Sequence, residues 1–242
     1  MNLRPLSIDA IGQPLFSSRA TPVHGLGTIA RDGAGRVFRY CLSGVTQTVG
    51  NVLQAAAQVT DHQGLTPVNA AIGDTTIVAT LGGTAVAAEN LYADGFAQIS
   101  VTPGLGYSYR IVGHLAVLGG GVITLKLDPS GPIQVAITAA NSKVCLVQNP
   151  YKYVIQSPTS AGSGAIVGVS IYPIVSGEYG WIQTGGVAAV LIAGTPAVGY
   201  PVGWSTTAGA AAVTTGTTAP IGRMMVTGQA GLVQPVMLHI DS

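Results

Sequence analysis

Apolar and polar residues alternate along this chain in short runs, each closed by Gly, Pro, Asn or Asp, and the runs recur about every ten residues. That period of two predicts short β-strands rather than helices. The runs favour Val, Ile, Thr and Tyr, which suit a pleated, half-buried surface. Arg36–Cys41 alternates after the Asp32-Gly33-Ala34-Gly35 turn, with Val37 and Phe38 or Tyr40 packing inward. Strands are next expected over 76–81, 96–102, 107–112, 122–127, 133–137 and 143–147. Gly104 and Gly119–Gly121 supply reversals between them.

Gly50–Val59 carries Leu53, Gln54 and three alanines and reads as extended chain or a single helical turn. Residues 151–163 read as a link rich in Pro, Ser and Gly, after which strands are expected over 165–172, 180–184, 187–192, 223–227 and 236–240. The Thr, Ala and Gly region 205–218 fits either a loop or a tightly packed strand pair. The expected fold is all-β, built of short-stranded antiparallel barrel or sandwich modules with an extended N-terminal arm. The expected division is an arm and first strand over 1–40, a β domain over 41–155 and a C-terminal β domain over 156–242.

Composition changes this picture. Only 8% of the 242 residues are charged, against roughly a quarter in free soluble domains. From Tyr179 onward the charged residues are Arg223 and Asp241 alone. Such a chain can bury a sizeable core, roughly 70 to 75% of its unfolded surface, so its few charges imply that neighbouring protein covers part of its outside. A net charge of +1 argues against a strongly electrostatic partner such as nucleic acid. The N-terminal segment is nevertheless mildly cationic through Arg4, Arg19, Arg31, Arg36 and Arg39 against Asp9 and Asp32. These five arginines are either a solvated face or contacts to partner carboxylates.

Residues 185–204 are uncharged, but Gly194, Pro196, Gly199, Pro201 and Gly203 interrupt them, which disfavours a membrane helix. No cationic, apolar and small-residue series of a secretion signal opens the chain, so synthesis in a cytoplasm is expected. Cys41 and Cys145 are expected as buried free thiols.

Motifs for catalysis are weak. No Gly-x-Ser-x-Gly elbow occurs, and His24, His62, His114 and His239 stand apart from one another in sequence. No pair of potential ligands has metal-site spacing. Gly162, Gly164 and Gly168 lack the helix and the later acid of a dinucleotide site. Tyr107 with Tyr109, and Tyr151 with Tyr153, could stack bases on a strand face, but packing in a core or interface suits them better. No enzyme activity, cofactor or metal is expected.

Several segments resemble the capsid decoration, or cement, proteins of tailed bacteriophages. They are Gly177–Gly186 (GEYGWIQTGG) with 187–199, Ala71–Gly82, Tyr92–Phe96, Tyr109–His114, Lys143–Tyr151 and the turn and strand of 27–40. The resemblance implies an all-β protein on the outer surface of an icosahedral head, with the major capsid protein as partner and no cofactor. It also implies an oligomer, of which a trimer suits the local threefold positions of a shell. The expected function is a structural virion protein that stabilises an assembled capsid by bridging neighbouring subunits. The alternative is a host-recognition or fibre-attachment module of the same particle, and a third reading is a hydrolase with a pocket around His114 or His239. Arg4, Arg19, Arg31, Arg36 and Arg39 are the candidate contacts. Trp181 and Tyr179 are the candidate structural anchors, and Trp181→Ala should cost about 3 to 5 kcal/mol if the ring is buried.

Overall fold

A computed structural model describes residues 7–159, 162–214 and 219–241. Of the described residues 41% are in strands and 1% helical, which places the protein in the all-β class expected from the alternation. Its first strands are β1 (Ser7–Asp9), β2 (Ile29–Arg31), β3 (Val37–Ser43) and β4 (Val52–Gln54). A 3-10 turn at Thr60–His62 leads into β5 (Thr66–Pro67), β6 (Thr76–Thr80), β7 (Phe96–Val101), β8 (Ser108–Gly113), β9 (Val122–Leu127) and β10 (Lys143–Val147). Then follow β11 (Lys152–Gln156), β12 (Ile166–Ser170), β13 (Tyr179–Leu191), β14 (Pro201–Trp204), β15 (Ala211–Val213), β16 (Pro220–Met224) and β17 (Val233–His239).

Two compact units result, and they are nested rather than serial: Met1–Ala57 with Pro150–Ser242 form unit 1, and Gln58–Asn149 form unit 2. The expected cuts at residues 40 and 155 are therefore replaced. The reason is long-range pairing: β11, inside the stretch expected to be a link, runs parallel to β3 and antiparallel to β4. Both flanks of unit 2 thus belong to one barrel.

That barrel is the centre of unit 1. Its five strands follow one another as β3, β11, β4, β12 and β13, and β13 pairs back onto β3 to close the ring. Each strand sends one buried apolar residue into a common cluster: Cys41, Val154, Leu53, Val167 and Ile182, joined by Ile174. Burial pushes the Cys41 thiol up to about 12, so it stays protonated and inert. Closure leaves this barrel no open sheet edge.

β13 is 13 residues long and serves two sheets. Tyr179–Gln183 pair with β3, whereas Gly185–Leu191 pair with β17. The separate strands expected over 180–184 and 187–192 are instead one strand with a bend at Gly185-Gly186. Gly186 has φ +75°, and a Cβ on it would lie 2.7 Å from the Gly35 carbonyl oxygen, so only glycine fits the crossing. Beyond the bend an antiparallel sheet runs β13, β17, β16, β14, β15. It curls until Ala193 N–H donates to the Ala211 carbonyl at 2.8 Å. Region 205–218 therefore supplies a paired strand, β15, in its described part.

The described part of the first forty residues is woven into unit 1 and is not an extended arm. β1 pairs with β2 and β2 with β3. The chain between them lays Ala10 and Leu15 against Phe38, Tyr40 and Trp181. Tyr40 stacks on Tyr179 at 6.0 Å and meets Trp181 edge-on at 5.1 Å. Covering the outer side of β3 and β13 by this segment is what buries Trp181, which is 1% exposed.

In unit 2 an antiparallel sheet runs β10, β7, β8, β9, β6, β5. It curls until Leu65 and Val144 exchange backbone hydrogen bonds of 2.8 and 2.9 Å, joining its two ends. Ile77, Ala97, Ile99, Tyr109, Ile111, Ile123, Leu125, Val144 and Leu146 point into one core. Ile133–Ile137, expected as a strand, is irregular chain whose two isoleucines are buried in that core while Ile137 bridges Ala70.

Candidate docking surface

A strand with one face in a core and one in water should alternate apolar and polar side chains. β13 beyond its bend reads Val187-Ala-Ala-Val-Leu191, and β17 reads Val233-Gln-Pro-Val-Met-Leu-His239. Ala188, Val190, Val236 and Leu238 point inward with Ile192, Val202, Ile221 and Met224. The opposite side of the same strands is also apolar, with the register pairs Val187–Met237, Ala189–Pro235 and Leu191–Val233. Val187 is 43% and Val233 45% exposed. This composition is that of a sheet covered on both sides, yet one side is open among the described residues.

Beside these pairs the surface dips into a groove of about 370 Å³. Phe16, 60% exposed, and Val49 rise at its margin, with Phe38 and Ile171 also lining it. Gln183, Gln234 and Arg36 are its polar lining. The Gln183 amide is already spent on the carbonyls of Gly185 and Val187, each at 2.9 Å. An apolar, nearly uncharged concavity of this kind favours contact with another neutral protein surface over a charged ligand.

Most of the expected arginine contacts lie elsewhere or are committed within the chain. Arg39 Nε and Nη2 donate to Asp241 at 2.6 and 3.2 Å, and Nη1 donates to the Gly27 carbonyl at 2.9 Å. Its guanidinium also lies 5.3 Å from the Tyr151 ring centre. It is an internal clamp joining β3 to the two ends of unit 1. Burial works against the charged form of Asp241, but the Arg39 hydrogen bonds and charge outweigh it and hold the carboxyl below its usual range. Arg36 donates to Asp32 at 2.7 Å and rests over Phe38. Arg19 and Arg31 are exposed, and the Arg19 backbone bridges that of Tyr179. Arg4 lies outside the described residues. Nothing in the N-terminal alternation signalled the partners of Arg39, because Asp241 is 202 positions away.

Unit 2 has a second cleft, of about 620 Å³, lined among others by Glu89, His114, Leu115, Val122 and Lys126. It joins His114 to an acid, as the hydrolase reading requires. The imidazole is nevertheless engaged at both nitrogens: Nε2 accepts from Tyr92 N–H at 3.0 Å, and Nδ1 donates to the Leu115 carbonyl at 2.8 Å. This fixes a neutral tautomer that has neither a free lone pair nor a mobile proton to offer. His62 is used similarly, between the Tyr92 hydroxyl at 2.6 Å and the Ala85 carbonyl at 3.1 Å. His239 is exposed on β17, paired in register with Gly185.

The remaining sequence candidates have structural uses. Gly164 and Gly168 sit where a Cβ would strike the Ala55 carbonyl at 2.4 Å and the Ile182 side chain at 2.8 Å, so they mark close strand approach. Tyr107 stacks on Tyr109 at 6.2 Å, and Tyr109 is buried in the unit 2 core. Both cysteines are free thiols, but Cys145 is only half-buried because it sits on the outer side of β10. Among the described residues no group of three His, Cys, Asp or Glu side chains comes together as a metal site. No helix among them is long and apolar enough to cross a membrane.

Compared with protein-family models, curated proteins and solved structures, the chain matches none. Fold and surface therefore define its class: a two-unit all-β protein whose strands β13 and β17 carry apolar side chains on both sides, one of them open among the described residues.

Proposed function

We propose that this chain is a structural virion protein that binds the outer surface of an assembled tailed-phage capsid and stabilises it by bridging neighbouring major capsid subunits. The observation that carries the reading is the open apolar side of β13 and β17. Two further features support it: the scarcity of charge after Tyr179, and the resemblance of 177–199 and other segments to capsid decoration proteins. Docking would cover Val187, Leu191, Val233 and Met237 and expel water from the groove beside them. At about 25 cal/mol per Å² of apolar surface, a patch of this kind contributes modestly at each site. Many copies on a repeating lattice, or a homo-oligomer engaging several capsid subunits at once, multiply that contribution through effective concentration.

Cryo-electron microscopy of particles whose genome encodes the chain tests the proposal. Density for the protein at most capsomer positions supports it. A few copies at one vertex or on the tail would favour the host-recognition alternative, and absence from the particle would overturn both.

A further inference from the structure

We infer that unit 2 is an autonomous insertion: it folds and unfolds independently of unit 1, and unit 1 alone carries the docking face. The functional half of this statement rests on the proposed capsid reading, whereas the folding half does not.

The insertion point is the first reason. β4 and β11 are antiparallel neighbours, with Gln54 opposite Ile155 and Leu53 opposite Gln156. Unit 2 occupies the connection between them, a place where a short turn would serve the barrel equally well. Loop-closure entropy rises only as about (3/2)RT ln n, so a long folded insert there adds little cost to the barrel. Domain insertions are tolerated where both ends meet at such a connection.

The packing is the second reason. The core of unit 2 is drawn from residues 65 to 146. The three clusters of unit 1 are drawn from residues 8 to 55 and 151 to 240. The ring of β3, β11, β4, β12 and β13 closes without a strand from the insert. Likewise, the unit 2 sheet closes on itself through Leu65 and Val144. Each unit is therefore self-sufficient in backbone pairing and in apolar burial, the two requirements for an independent cooperative transition.

The sequence supplies a probe for each. Both tryptophans, Trp181 and Trp204, belong to unit 1, while unit 2 has Tyr92, Tyr107 and Tyr109 and no tryptophan. In the full chain, tryptophan fluorescence reports unit 1, and hydrogen exchange of the β6–β10 amides reports unit 2. Ile99→Ala, in the unit 2 core, should lower the unit 2 transition by about 10 °C or more and leave the tryptophan transition unmoved. Should that variant fail to express folded, Ile123→Val makes the same test with a shift of roughly 3 to 8 °C. Fluorescence and exchange transitions that move together would overturn the inference. A second arm tests docking: heads stripped of the protein are incubated with the Ile99→Ala chain at a temperature where only unit 2 is unfolded. Retained binding supports the division of labour, and loss of binding there, with two separate transitions still seen, overturns the docking half alone.

Discussion

The outer side of unit 2 and the outer side of the β13–β17 sheet are both β-surfaces facing away from a core, yet they differ in chemistry. On unit 2 the outward positions are mainly polar, with Thr76, Thr80, Gln98, Ser100, Ser108, Arg110, Thr124, Lys126 and Lys143, and the exposed apolar Phe96, Val101, Val122 and Val147 lie at strand ends among them. On β13 and β17 the corresponding positions are Val187, Ala189, Leu191, Val233, Pro235 and Met237, with His239 at the end of β17 and Arg223 of β16 beside Met237 as the polar border. Unit 2 follows the rule for a half-solvated sheet more closely than β13 and β17 do. Contiguous exposed apolar surface, as on β13 and β17, supports the proposed docking there. One molecule thus contains both a mainly polar β-surface and one that is apolar across β13 and β17.

The sharpest way to break this comparison is at the foundation of unit 1. Trp181→Ala removes a ring that packs on Tyr40 and His24 and should destabilise unit 1 by about 3 to 5 kcal/mol. Chemical denaturation followed by hydrogen exchange should show unit 2 unaffected. A smaller effect, about 2 kcal/mol, is expected for Gly186→Ala, which forces a side chain into a left-handed conformation and toward the Gly35 carbonyl. Because that residue sets the bend between barrel and second sheet, the near-ultraviolet signal of Trp181 should change with it.

Removing the Arg39 clamp by Arg39→Ala leaves the partly buried Asp241 without its partner, and a loss of about 1.5 to 2 kcal/mol is expected in unit 1. The same pair gives a pH dependence. The folded-state value of Asp241 lies below its ordinary one, so the stabilisation is complete above about pH 5 and is lost as the pH falls through about 4 toward the folded value. Thermal melts of unit 1 between pH 6 and 3 should show a decline that is shallower in Arg39→Ala, where the part due to Asp32, also held below its usual range, remains. The least effect on stability is expected on unit 2's outer side, where Thr124→Lys should change melting by less than the equivalent of about 0.5 kcal/mol.

How much of this was legible beforehand follows from the same contrast. In unit 2 the alternation marks β6, β7, β8, β9 and β10 to within a residue or two, because each has one wet side. β1, β2 and β5 are only two or three residues long, too short for any period to register. β11 was hidden among turn-forming residues, and its partners lie about a hundred positions away, so the nested arrangement had no local signal. The apolar side of β13 and β17 left a compositional trace in the nearly chargeless stretch after Tyr179. Which side of which strand stays open depended on the bend at Gly186 and on the register of β13 with β17, neither of which is a pattern along the chain. The arginines were visible, but whether an arginine meets solvent, a partner or Asp241 is decided by the fold.

The central claim is that the uncovered side of β13 and β17 is the surface that seats on the shell. Its most direct test is the double substitution Val187→Lys and Val233→Lys, measured as binding to phage heads purified without the protein. Both positions are exposed, so melting of both units should stay near that of the parent, and binding to heads should be lost. Heads that take up the doubly charged variant as readily as the parent chain would contradict the account.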